Sequence, residues 1–335
     1  KSIFDGLKRQ AEEGLTYYPE ADIGTFIPNP DRRWCRTRDL SKKRTAGIME
    51  VLAFVGLVEK NVEMLIMAAR MAISAAHCTY WCESIMGVFP GATWHHRSFT
   101  EEIYCRACAL VLDWAGVCIT PHGKQVIRDA IIMKGLPRIE SDFKRMEYIR
   151  FMNQGIVFSS GRIIGLLSLI PEYPRYKSML MEAEQDLHEM IENYVHEDGG
   201  TLEGPGYWNF TFSQAMPLFY ALSRFHNKTL HEYATETLLK TGDYALSMLS
   251  IADGGITLLP INDCHSKSTI NPGLVAAYCK MSKNPEWKSL YQAMKKSGDF
   301  KPDLYHIIFA PSMEEMAEPA EPILKPKFKV LSEVG

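Results

Sequence analysis

Apolar side chains recur at every third or fourth position through most of this chain, and any fold it adopts must bury the stripes they make. The segments 44–59, 61–86, 99–116, 122–134, 153–170, 175–196, 213–225, 229–251, 272–282 and 286–297 carry the i, i+3, i+4, i+7 spacing of one helix face. In the second of these the stripe runs Met64, Met67, Ala68, Met71, Ala72, Ala75. Breakers separate the segments: Gly87 to Pro90, Pro121, Pro137, Pro171 with Pro174, Gly199-Gly200, Gly254-Gly255 and Pro285. Thr100, ahead of Glu101 and Glu102, reads as an N-cap. Strand-like runs are confined to Ile256 to Leu259 and Lys327 to Val330. The expected class is all-α. Helical hairpins must bury both flanks, by stacking into an open solenoid or by closing on themselves. No fixed repeat is visible, so a regular array is disfavoured and an incomplete (α/α) toroid over residues 1–310 is the expected architecture.

Residues 311–327 change character, with Pro311, Pro319, Pro322 and Pro326 set among Glu314, Glu315, Glu318 and Glu321. That composition reads as a linker. A lone strand after it cannot form a sheet, so 311–335 is expected to lead toward a β-domain absent from this chain, or to dock its strand on the helices.

Hydrophobic residues make up 46% of the 335 and charged residues 23%, enough for a sizeable core. A formal charge of −3 argues against nucleic acid as a partner. No apolar run is long enough for a membrane span. The eight cysteines include Cys78/Cys82 and Cys105/Cys108 at helical spacing, which reads as buried thiols rather than a zinc site. Free helical thiols lean toward a cytoplasmic, reducing compartment; removal of a signal peptide would instead make the protein periplasmic or secreted.

Four polar stretches stand out. The first, His196 to Phe210, holds four glycines, a proline, the acids Glu197, Asp198 and Glu203, Tyr207 and Trp208, and reads as a loop. It reads equally as an ordinary interhelical connection whose aromatics cover the core edge. The second is Asn153-Gln154-Gly155, where Asn153 could simply cap the following helix. The third is Pro260-Ile261-Asn262-Asp263-Cys264-His265. The fourth is Trp94-His95-His96-Arg97, where an indole face and a guanidinium suit an anionic sugar. Phosphate-loop, dinucleotide, GxSxG and HExxH motifs are missing.

Taken together, Asn153-Gln154-Gly155 with Gly161, the Asp198-Gly199-Gly200…Glu203-Gly204-Pro205-Gly206-Tyr207-Trp208 stretch, Leu112-Asp113-Trp114 and Pro260-Ile261-Asn262-Asp263 resemble the heparinase II/III-type polysaccharide lyases, and with them the oligoalginate lyases of the same superfamily. The resemblance runs over roughly 95–335. It implies a toroid followed by a β-sandwich, and β-elimination on a uronic-acid glycan of heparan sulfate or alginate type. By resemblance, Asn153 neutralises the uronate carboxylate, and Tyr207 is the base, the acid or both, with Arg97, His95 or His96 supplying a cationic field. Such enzymes usually pair the tyrosine with histidine, one coming from the β-domain; here His265 is the substitute. Trp94, His95, His96, Arg97, Gln154, Glu203, Trp208 and Asp263 are then the substrate-binding set. The resemblance implies an acidic polysaccharide or oligosaccharide as partner and no cofactor in this domain, with any structural metal in the β-domain. Two other functions fit the sequence: a glycoside hydrolase on an α/α barrel, using two of Asp198, Glu203 and Asp263, and a non-catalytic glycan-binding helical module.

Overall fold

The computed structural model describes residues 2–17, 44–78, 81, 97–252, 255–297, 303–312 and 314–315. Among them the chain is helical apart from one short hairpin. The 311–335 linker and strand fall almost wholly outside these residues. Contacts divide the chain into two compact units, a partition that the helical pattern does not announce.

The first unit comprises Asp5–Ile149 and Val157–Asp186. Its helices are α1 (Ser2–Gly14), α2 (Arg44–Glu59), α3 (Val62–His77), α4 (Phe99–Trp114), α5 (Pro121–Ala130) and α6 (Leu136–Arg145). A five-residue π turn, Ile131–Gly135, joins α5 to α6 without a break, and Pro137, which has no N–H to give the preceding turn, follows directly on this widened turn. Helix α3 stops at His77, well short of the 61–86 expected from periodicity. Helix α4 is buried on all sides from Thr100 to Ala109. Ser98, not Thr100, holds its N-cap position, and the Ser98 hydroxyl donates to Asp142 at 2.7 Å. Buried Glu102 of this helix and buried Glu50 of α2 need a cation, and Arg106 supplies it, bonding Glu102 at 2.9 Å and Glu50 at 3.0 Å.

Helix α7 (Asn153–Leu169) and helix α8 (Tyr176–Tyr194) follow. In the first unit, Arg162 of α7 pairs with Glu140 and Asp186. The residue before it, Gly161, touches the main chain of Glu102: a methyl group built there would overlap the Glu102 carbonyl. The glycine of this segment is therefore a crossing point of α7 on α4, not part of a phosphate loop.

The second unit contains Lys1–Phe4, at the start of α1, Arg150–Ile156 and everything from Leu187. It holds α9 (Gly204–Phe225), α10 (Leu230–Tyr233), α11 (Glu236–Ser247), β1 (Leu249–Ala252), β2 (Gly255–Leu258), α12 (Pro272–Met281), α13 (Glu286–Ser297) and α14 (Leu304–Phe309). The strands pair antiparallel, Leu249 with Leu258 through Ala252 with Gly255. The helix expected over 229–251 is thus two helices and a strand. Capping explains the breaks: Thr229 forms a capping box with Glu232, and Thr235 caps α11. The core is aromatic. Tyr278 stacks on Trp287 at 4.4 Å and meets Trp208 at 5.8 Å, and its hydroxyl donates to the Leu238 carbonyl.

His306 of α14 is fully buried, with Nε2 and the Tyr291 hydroxyl 2.8 Å apart. Burial lowers its proton affinity, against a smaller opposing pull from Asp303. As pH falls below about 6.5, the unfolded chain takes up a proton that the native state resists. Stability contributed here is full above that value and declines below it. Urea midpoints taken at about pH 7.5 and about pH 5.5 should fall on acidification, and more steeply for the native chain than for His306→Gln. Parallel slopes would contradict this.

Candidate functional site

Helix α9 begins nine residues earlier than its apolar pattern suggests. Gly204 adopts φ +81°, which only glycine takes without strain, and Pro205 occupies the first helical position, where a proline is pre-set for the helix. Upstream, the Asp198 carboxylate accepts the Gly200 N–H at 2.8 Å and Gly199 turns at φ +87°. The loop expected over 196–210 is therefore a turn, 196–203, followed by helix.

This start sets two neighbouring aromatics on different faces. Trp208 lies with Phe212, Ala215 and Phe219 on the buried stripe of α9. It is 0% exposed, and its indole N–H donates to Thr241 at 2.9 Å. Its assignment to substrate binding is corrected: a side chain sealed in the aromatic core has no face for a sugar. Tyr207, rotated by one residue, is partly exposed and turns outward with Phe210.

Facing them is the segment after β2. A cavity of about 590 Å³ is lined by Gly206, Tyr207, Phe210, Asn262, Asp263, Cys264, His265 and Ser268. The two walls are pinned together from within. Asn262 donates to the Leu202 carbonyl at 2.6 Å. Asn209 accepts the Asn271 N–H at 2.7 Å. A Cβ on Gly204 would stand 2.8 Å from the Ile261 carbonyl oxygen, and one on Gly206 3.0 Å from the Cys264 Cα. Glycine at both positions is what lets the walls meet. Asn262 itself turns at φ +52°, a conformation asparagine tolerates better than most residues.

The polar groups thus fall into two sets. Asn209 and Asn262 hold the walls. The Tyr207 hydroxyl, the Asp263 carboxylate and the exposed His265 imidazole line the cavity and make no hydrogen bond with a described residue. Two other phenols close to the 198–204 turn are of a different kind. Burial pushes Tyr244 up to about 12 despite a bond to Thr201, and burial together with the Glu203 charge pushes Tyr194 well above the usual phenol range. Both stay protonated, leaving Tyr207 as the phenol with access to a ligand.

Asn153 opens α7 but does not cap it. Its Nδ2 donates to both carboxylate oxygens of Glu203, at 2.7 and 2.9 Å, and its main-chain N–H donates to Glu203 Oε2 at 3.1 Å. Glu203 is the capping group: an anion from fifty positions along the chain, seated on a helix N-terminus. Asn153 is 3% exposed, so it stands behind the open surface rather than on the cavity wall. Its Oδ1 and the Oε1 of Gln154 are buried without a partner among the described residues. Glu203 directly precedes the turn of α9 that carries Tyr207, so Asn153 is tied to the cavity wall through it.

Of the remaining candidates, Arg97 belongs to the first unit, with its guanidinium over the Tyr148 ring at 5.4 Å. Trp94, His95 and His96 lie outside the described residues. Phe210, Asn262, Cys264 and Ser268 of the cavity, and Asn209 behind it, were missed as site residues; the i+3 spacing of Phe210 from Tyr207 is the signal that could have found one of them. Among the described residues no group of three or more His, Cys, Asp or Glu side chains is placed to hold a metal ion, and no helix is long and apolar enough to cross a membrane. No family model matches the chain, and no curated protein matches it.

Proposed function

We propose that the chain is a polysaccharide lyase of heparinase II/III type, built on an α/α toroid, that cleaves uronic-acid glycans by β-elimination. One observation carries the reading: a phenol and an imidazole, Tyr207 and His265, share an open polar cavity while neither side chain bonds a described residue. Elimination needs such a pair. The C5–H bond breaks and its proton goes to a base. The electron pair forms the C4–C5 double bond. The C4–O4 bond breaks, and O4 takes a proton from an acid. Imidazole accepts protons near neutrality, whereas a phenol, ordinarily near pH ~10, holds a proton it can give. This favours His265 as the base at C5 and Tyr207 as the acid at O4. The resemblance gives neutralisation of the carboxyl group beside C5 to Asn153, which stands behind the cavity wall and is joined to it through Glu203.

A retaining or inverting hydrolase would need two carboxylates across one bond. Of Asp198, Glu203 and Asp263, only Asp263 lines the cavity; Glu203 is engaged by Asn153 and Asp198 by the Gly200 turn. Incubation with heparan sulfate, alginate and chondroitin should produce, with at least one of them, the ultraviolet absorbance of an unsaturated uronate. A flat trace with all three would count against the lyase.

A further inference from the structure

Four large apolar residues stand open to solvent around the junction of Asn153 with Glu203: Phe151, Met152, Leu202 and Ile261, between 39% and 62% exposed. They come from three stretches of the second unit that are bonded to one another. Asn153, next to Met152, donates to Glu203, next to Leu202. The Leu202 carbonyl accepts the amide of Asn262, next to Ile261. The Ile261 carbonyl in turn closes on Gly204, where a side chain would not fit. The Met152 carbonyl accepts the Gly155 N–H at 3.2 Å, which fixes the start of the third stretch. Phe151 makes no ring contact with a described residue. Single exposed apolar residues are ordinary, but four brought together from remote positions make a patch.

The patch adjoins the cavity. Asn262, bonded to Leu202, also lines that cavity, and Glu203 leads into the turn of α9 that carries Tyr207. A ligand spanning both places must be polar at one end and offer an apolar face beside it. A glycan does so: each pyranose ring carries hydroxyls at its edge and C–H bonds on its faces, and those faces pack on aromatic and aliphatic side chains. Size favours the same ligand. A large side chain buries at most roughly 200 Å², so four about half exposed offer roughly 400 Å². That is about half of what each partner gives to a standard protein interface, about 800 Å². We propose that Phe151, Met152, Leu202 and Ile261 form a second sugar subsite, which takes the face of a ring neighbouring the uronate in the cavity, with Phe151 as its stacking platform. This rests on the lyase reading for the kind of glycan and adds to it where the rest of the glycan lies. Stacking on a ring outside the reacting centre is the same before and during elimination, so the subsite acts on binding and not on the chemical step.

The test uses tetrasaccharides of alginate, chondroitin and heparan sulfate, and the methyl glycoside of each uronic acid as a ligand that fills the cavity alone. Calorimetry and NMR titration give the affinities of the full chain, Phe151→Ala, Phe151→Tyr and Met181→Ala, with circular dichroism as the control for folding. Met181 is an exposed apolar residue of the first unit and should be neutral. For the glycan the chain binds, Phe151→Ala should weaken the tetrasaccharide about tenfold, the cost of losing one central aromatic contact. The methyl glycoside should change by less than about twofold, and Phe151→Tyr should restore the tetrasaccharide. With the polymer, Phe151→Ala should raise KM by about the same factor and leave kcat within about twofold. A tetrasaccharide bound alike by the native chain and Phe151→Ala would overturn the subsite; cleavage of the polymer alongside would leave the lyase reading standing. Binding that depends on Phe151 without any unsaturated product would keep the subsite and remove the lyase reading. Sedimentation that shows a native dimer, dissolved by Phe151→Ala, would give the patch to a second copy and overturn the proposal. Failure to bind all three glycans would remove both.

Discussion

Replacing Tyr207 by phenylalanine should lower kcat for elimination by roughly a thousandfold, within the range for loss of a general acid or base. The substitution is chemically narrow. The Tyr207 hydroxyl bonds no described residue, and the ring keeps its edge contact with Phe210, so folding stability should change by less than about 0.5 kcal/mol. KM should move little, because the ring remains on the cavity wall. Single-turnover rates of product absorbance, with urea unfolding of the same preparation, separate the two effects. A variant that retains a tenth or more of native kcat would remove Tyr207 from the proton transfers. It would leave Asp263 and His265 as the cavity's uncommitted titratable groups.

The largest expected loss of stability comes from Gly161→Ala. The added methyl would meet the Glu102 carbonyl and Cα, main-chain atoms of a helix buried on all sides. Neither helix can give way without disturbing Arg106 between Glu50 and Glu102 on one side and Arg162 between Glu140 and Asp186 on the other. A cost of about 3 kcal/mol follows, or a melting temperature lower by about 4 °C for a protein of this size. Gly47→Ala is the matched control. Gly47 is exposed on α2 with open space at its Cβ position, and alanine there should stabilise by about 0.5–1 kcal/mol through helix propensity alone. If both substitutions were tolerated alike, the close crossing of α7 on α4 would be wrong.

Helices with a one-sided apolar stripe were legible in the sequence because their burial pattern is a local property. The range expected for α2 matches the observed Arg44–Glu59, and α7, α12 and α13 differ by a residue at most. The start of α9 was hidden by its glycines. These read as loop formers, although Pro205 at the first helical position and the spacing of Trp208, Phe212, Ala215 and Phe219 both mark a helix. Tyr207 and Trp208 look interchangeable in sequence. Their separation into cavity and core depends on where Tyr278 and Thr241 lie, which no local pattern contains. The strand β1 was absorbed into a helical pattern because a short apolar run suits either period.

The candidate site was legible by composition and not by arrangement. The segments around 203–208 and 259–265 were both marked out by polar and aromatic residues between breakers. That they form opposite walls of one cavity rests on Asn209, Asn262 and the missing side chains at Gly204 and Gly206, each a contact about sixty positions apart. Asn153 looked like a helix cap. Its engagement by Glu203 is a tertiary contact between residues fifty positions apart, which no local pattern contains.

Cleavage in water enriched in heavy oxygen examines the chemistry most directly. Elimination adds no water, so the products of a uronate polymer should absorb as unsaturated uronates, carry no solvent oxygen, and sum in mass to the starting chain. Saturated products bearing one heavy oxygen for each bond cut would mean hydrolysis, and would contradict the account.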